Sequence, residues 1–99
     1  MKSKDAIQLE YRAAKLNAER LRECADRLQK MRSEMDALAD ELQAGWQGDS
    51  ARVCIAKCGE FSDKVNRSEE HLKEISNAIK EAARAYRDAD MAAIKMLLE

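Results

Sequence analysis

What this chain lacks sets most of its limits. It has no proline, three glycines, a single histidine and few aromatic residues (one Trp, two Tyr, one Phe). Ala, Glu, Lys, Leu and Arg dominate and 37% of residues are charged, the composition of long helices or coiled coil rather than of a mixed sheet fold. No cationic excess accompanies the charge: the formal net is −1, so a nucleic-acid partner is not expected. No window approaches the roughly eighteen apolar residues that span a bilayer, so an integral membrane segment is not expected either. The opening stretch, "MKSKDAIQLEYRAAKLNAER", has no apolar h-region, which argues against a cleavable secretory signal. A nucleophile–base constellation, a glycine-rich phosphate loop and an evident cleft are all missing, so neither catalysis nor a cofactor is expected. At 99 residues the chain reads as one domain over positions 1–99. A domain this short buries a modest core and often needs a partner to complete it.

What is present is helix periodicity. From Asp5 to Gln43, Ile7, Tyr11, Ala14, Ala18, Leu21, Ala25 and Leu28 step alternately by four and three. A short step to Met31 then marks a slip in register, after which Met35, Leu38 and Leu42 resume the alternation. Leu9 and Leu16 widen the stripe on one side. Later in the chain the pattern is cleaner: Cys54, Cys58, Phe61, Val65, Ser68, Leu72, Ile75, Ile79, Ala82, Tyr86, Ala89, Ala93 and Met96 alternate without a miss, a heptad seam. Leu21, Leu28, Met35, Leu38, Phe61, Val65, Leu72, Ile75 and Ile79 are therefore the expected core and dimer seam. Acid-then-base pairs four apart (Glu23 and Arg27, Asp26 and Lys30, Glu60 and Lys64, Glu69 and Lys73) read as a solvated outer face.

The break between the two patterns is "GWQGDS", Gly45 to Ser50, and it holds the only tryptophan. Gly45 can end a helix in the left-handed conformation, Gly48 supplies freedom for a tight turn, and Asp49 or Ser50 can cap the next helix. The expected fold is all-α: helix 1 over about 5–44, a turn at 45–49, and helix 2 over about 50–98, folded back as an antiparallel hairpin. A bend near Trp46 places Leu42 beside Ala51, Leu21 beside Leu72 and Ile7 beside Tyr86. Two helices cannot enclose a core, and burial at roughly 25 cal/mol per Å² favours a second hairpin, making a dimeric four-helix bundle. Whether the second hairpin is identical cannot be read from periodicity. Trp46 can fold over the hairpin end to shield Leu42 and Val53, or project as a contact for another protein; the two roles are compatible.

With Trp46–x–Gly48 at the bend of two heptad-patterned helices, the chain resembles the WXG family, small helical-hairpin substrates of type VII secretion systems in Gram-positive and mycobacterial cells. Tyr86-Arg87-Asp88-Ala89-Asp90 also fits the Y-x-x-x-[DE] secretion motif found near the end of the second helix in that family. Four apart on a helix, Tyr86 and Asp90 share a face; against this stands the seam position of Tyr86, where an aromatic is commonly core. The resemblance implies pairing with itself or a paralogous hairpin, the homodimer favoured. It also implies a two-part export signal of Trp46, Gly48, Tyr86 and Asp90 assembled across the dimer and read by an export ATPase. The protein would then be made in the cytoplasm and secreted or held at the cell surface. In heterodimeric members the tyrosine motif often sits on a flexible tail, whereas here "MAAIKMLLE" after Asp90 still looks helical, which favours the compact, self-pairing branch.

Cys54 and Cys58 lie four apart on the seam and Cys24 far off on helix 1. Cys-x-x-x-Cys is neither a redox nor a zinc pattern. His71, expected near Arg22, sits one turn from Cys24 but remote from the other two, so no four-ligand metal site assembles. The thiols read as small apolar side chains, and Met31, Met35 and Met96 as seam filler. Two other functions stay open: a cytoplasmic adaptor guiding a larger toxin to the secretion machine, and an unrelated coiled-coil scaffold such as a needle-like hairpin. The needle is disfavoured because such proteins carry prolines in the bend.

Overall fold

A computed structural model describes residues 2–98. The chain forms two helices and, among the described residues, no strand: α1 runs Lys4–Gly45 and α2 runs Asp49–Leu98. They pack antiparallel as a hairpin. Ser3 starts α1 as its N-cap, its Oγ accepting from the Ala6 N–H at 3.1 Å and its carbonyl from the Ile7 N–H at 3.0 Å; such a cap satisfies one of the donors a helix start leaves unpaired. The Trp46 N–H donates to the Leu42 carbonyl at 2.8 Å and the Arg52 N–H to the Gly48 carbonyl at 3.1 Å, so only Gln47 stands clear of both ladders. Among the described residues Gly48 alone has positive φ, 109°. The left-handed requirement thus falls on Gly48, while Gly45 is the ordinary last residue of α1. The capping position likewise falls on Gly48, leaving Asp49 in the first turn, where it pairs with Arg52 and places charge at the positive helix end.

The chain divides into two compact units, Met1–Arg22 with Lys73–Glu99 and Glu23–Leu72, here called the terminal unit and the loop unit. In the loop unit, α1 contributes Ala25, Leu28, Arg32, Met35, Ala39 and Leu42 as its buried or half-buried stripe. These positions alternate by three and four, so the register slip expected after Leu28 is absent. Met31 and Leu38 instead lie exposed, and Arg32 takes the seam position. Its Nε donates to Glu69 Oε1 at 3.4 Å and Oε2 at 3.2 Å. Glu69 is 4% exposed, so it is a member of the contact and not the partner of Lys73 on an outer face. None of the four acid-then-base pairs expected from spacing forms: Glu60, for one, pairs with Lys57.

In the terminal unit, Ile7, Tyr11, Ala14, Ala18 and Leu21 form the α1 stripe. Ser76, with no exposed surface, donates through Oγ to the Ala18 carbonyl at 2.7 Å. Small side chains at this point allow the two backbones to approach closely.

Assigning Tyr11, Ala18, Ala25, Arg32 and Ala39 to heptad position a, and Ile55, Ser62, Glu69, Ser76, Ala83 and Asp90 to a of α2, shows how the seam differs from its expected course. The α2 stripe in contact with α1 is mostly small or polar. Seven of the twelve apolar residues in the expected α2 seam, Phe61, Ile75 and Tyr86 among them, are exposed. Past Ser76, Ile94 is buried and Ile79, Lys80, Ala83, Arg87, Asp90 and Met91 are half-buried, so e positions join the contact while d positions leave it after Ile79. A straight helix drifts about 20° per heptad against a 3.5 repeat; over four to five heptads that amounts to nearly one residue. The drift turns Tyr86 out and Arg87 in.

Because the helices run in opposite directions, g positions of both lie on one side of their contact and e positions on the other. The g side of the loop unit carries Cys24, Met31, Leu38, Cys54 and Phe61. That of the terminal unit carries Ile75, Ala82, Ala89 and Met96 on α2 and the polar Glu10 and Asn17 on α1, with Tyr86 at the neighbouring d position; Leu9 and Leu16 stand at f, on the outer face of α1.

Candidate functional site

Trp46 is 44% exposed at the end of α1, held there by its own backbone bond to Leu42 and by the turn that Gly48 permits. It lines a groove with Gln43, Gln47, Gly48, Ala51, Arg52, Ile55 and Ala56. Val53, expected under the indole, is instead exposed, because its helical position faces away from the turn. Trp46 thus shares its groove with the first turns of α2 and keeps much of its surface exposed.

Tyr86 and Asp90 are brought together on a groove of about 520 Å³ in the terminal unit, lined also by Lys2, Ile7, Glu10, Tyr11, Ala14, Ala83 and Arg87. Tyr86 is 73% exposed, which runs against the competing reading of its seam position as core. Asp90 is half-buried. The Lys2 ammonium bonds Glu10 Oε2 at 2.8 Å and stands 3.8 Å from Asp90 Oδ2. The hydrogen bond to Glu10, followed by its charge, raises the Lys2 pKa above the ordinary value. Arg87 holds its guanidinium 4.2 Å over the Tyr11 ring and donates to Asp88 at 3.1 Å, a cation–π geometry. The whole motif lies within α2, which continues to Leu98.

Linear spacing missed Lys2, Glu10, Tyr11 and Arg87 as neighbours of the motif. Pairing register brings Glu10 and Tyr11 from α1 and Lys2 from the residues just before it, and the drift of α2 brings Arg87. Of the expected seam residues, Val65 is buried and Leu21, Leu28, Met35, Leu72 and Ile79 are half-buried. Leu38, Phe61 and Ile75 are exposed, the last by 48%, since they sit at g and not between the helices.

The three cysteines are free. Cys54 and Cys58 are half-buried and Cys24 is exposed; burial and then the neighbouring Cys54 push the Cys58 thiol up. His71 is exposed and lines a shallow groove with Lys64, Arg67, Ser68 and Leu72. Among the described residues no group of three or more His, Cys, Asp or Glu could hold a metal ion, and no helix is long and apolar enough to cross a membrane.

A family profile described as "WXG100: Proteins of 100 residues with WXG" matches residues 6–91. Comparison with curated proteins and with solved structures returns no significant match. The match takes in most of both helices, the Trp46–x–Gly48 turn and the Tyr86 and Asp90 positions: the chain belongs to the WXG100 family, small helical proteins of type VII secretion.

Proposed function

We propose that this protein is a substrate of type VII secretion, exported as a folded homodimer and recognised through a composite of Trp46–x–Gly48 and Tyr86–x–x–x–Asp90. The observation that carries the reading is the placement of Tyr86. At 73% exposure its ring contributes little to the intrachain contact, yet it stands with Asp90 on one groove. An aromatic ring left in water beside an oriented carboxylate is a surface for another protein to bind.

WXG100 proteins typically pair as dimers, and the apolar g side is the surface suited to that pairing. With two hairpins packed antiparallel, the Trp46 turn of one protomer approaches the Tyr86–Asp90 groove of its partner. The export ATPase would then meet both halves of the signal only on an assembled pair. After export the protein acts by binding, as effector or co-secreted carrier, and not by catalysis.

The test is export of the native protein into the culture medium. Tyr86→Ala and Trp46→Ala should each lower export at least tenfold while dimer mass in solution is unchanged. Undiminished export of both variants would overturn the reading. Retention of the native protein in the cytoplasm, bound to a larger protein, would replace it with the adaptor function.

A further inference from the structure

The net charge of −1 conceals a segregation that the fold makes visible. On the side of the terminal unit away from the apolar g positions, Lys15 and Arg22 at e and Arg12 and Arg84 at b are exposed, and Lys73 and Lys80, half-buried at e of α2, rest their stems at the edge of the contact, an arrangement that leaves a lysine head in water. At those e and b positions only Asp5 and Glu19 are negative, and Glu74, Glu81 and Asp88 stand at the neighbouring f positions of α2. None of the six cations forms an ion pair with a described residue. In the loop unit the e and b positions have the opposite sign: Asp36 at e and Asp26, Asp40, Asp63 and Glu70 at b. All five are exposed and without an ion pair to a described residue. Its one cation there, Arg52, is taken by Asp49.

Helix stability does not call for such sorting, which forgoes the favourable pairs that mixed charges would make at spacings of three and four. Six cations in one unit and five carboxylates in the other form complementary surfaces for intermolecular association. We infer that the basic side of the terminal unit docks on the acidic side of the loop unit of a second copy of this chain. The contact is separate from the apolar g-side pairing and links pairs into larger assemblies. It does not depend on the export reading.

Salt separates the two contacts. Charge pairing at the surface is screened as the Debye length falls from about 30 Å at 0.01 M salt to about 3 Å at 1 M, whereas apolar burial is not weakened this way. Sedimentation of the full chain should show a species heavier than the pair at about 0.01 M salt, with its association constant reduced at least tenfold at about 1 M. Lys15→Glu combined with Lys80→Glu should produce the same loss at low salt, and so should Asp36→Lys combined with Asp40→Lys. Mixing the two variants should restore association. Lys15→Gln with Lys80→Gln, which keeps the apolar stems, guards against a folding defect and should also weaken it. The inference is overturned if association is insensitive to salt, if the reversed variants associate as the native chain does, or if their mixture fails to recover. It is equally overturned if the basic side binds phosphatidylserine vesicles at low salt while no heavier assembly forms.

Discussion

Two glycines three residues apart face opposite requirements. Gly48 holds φ at 109°, a conformation that costs a residue with a Cβ roughly 1–2 kcal/mol, although a Cβ built there meets nothing within 4 Å. Gly45 ends α1 in ordinary helical geometry and also has open space around it. Gly48→Ala should therefore lower stability by about 1–2 kcal/mol, and Gly45→Ala should raise it by about 0.5–1 kcal/mol. Thermal unfolding checks both, since 1 kcal/mol moves Tm by about 4–8 °C in a domain of this size. Equal losses from the two changes would mean that the turn is set by the indole and not by Gly48. Cys58 offers a second residue-scale outcome. Its pKa is raised, first by burial, so at a given pH less of it is thiolate and it reacts more slowly. In a Cys24→Ser, Cys54→Ser background its rate with Ellman's reagent at pH 8 should fall below that of the same chain unfolded in urea.

At the scale of the helices, legibility had a specific boundary. Alternating steps of four and three revealed both helices, and the indole between glycines revealed the turn. The spacing did not reveal which partner buries which residue. Phe61, Val65, Leu72 and Ile75 look like one seam because periodicity reports only that they share a face. Yet α1 packs on Val65 and Leu72 together with Ser62, Glu69 and Ser76, while Phe61 and Ile75 turn outward. Arg32 and Ser76 were hidden for the same reason: a polar residue that finds its partner across the contact leaves no apolar mark. The Tyr86–Asp90 pair was visible as a motif. Its exposure was not, because helical drift moves the seam by a residue only after several heptads.

These polar insertions have consequences that can be measured. Arg32→Leu leaves the Glu69 carboxylate, 4% exposed, without its cation. Loss of one partner from a fully buried pair costs about 3–5 kcal/mol. Arg32 keeps about a quarter of its side-chain surface, so about 2–3 kcal/mol is expected once solvent screening is allowed for. Adding Glu69→Leu should recover most of the loss, and a double-mutant cycle by urea unfolding reads the coupling directly. Ser76→Ala should cost only about 0.5–1.5 kcal/mol, that of one hydrogen bond, whereas Ser76→Leu must separate the helices where they approach and should cost more.

At the scale of the molecule, the interior is too thin to stand alone. The buried apolar residues are Ile7, Ala18, Ala25, Ala51, Val65 and Ile94, three of them alanines, while Leu38, Phe61 and Ile75 are left in water. A chain that buries alanine and exposes isoleucine would gain core by burying that surface on a second chain, as the proposed dimer does. Ile75→Asp removes an apolar contact from the g side and puts a charge there without touching the contact between α1 and α2. Full burial of one such side chain contributes about 1.5–3 kcal/mol. A twofold dimer loses it twice, so pairing should weaken by roughly 3–6 kcal/mol, or about 10²–10⁴ in Kd. Sedimentation equilibrium at about 1 M salt, where charged contacts are screened, should show the native chain as a pair and the variant as single chains. Helicity at micromolar concentration should fall with it, because a hairpin with so little of its own core unfolds when its partner leaves. A variant that still pairs with native affinity would place the dimer contact on some other face, and the antiparallel meeting of Trp46 with Tyr86 would have to be abandoned along with it.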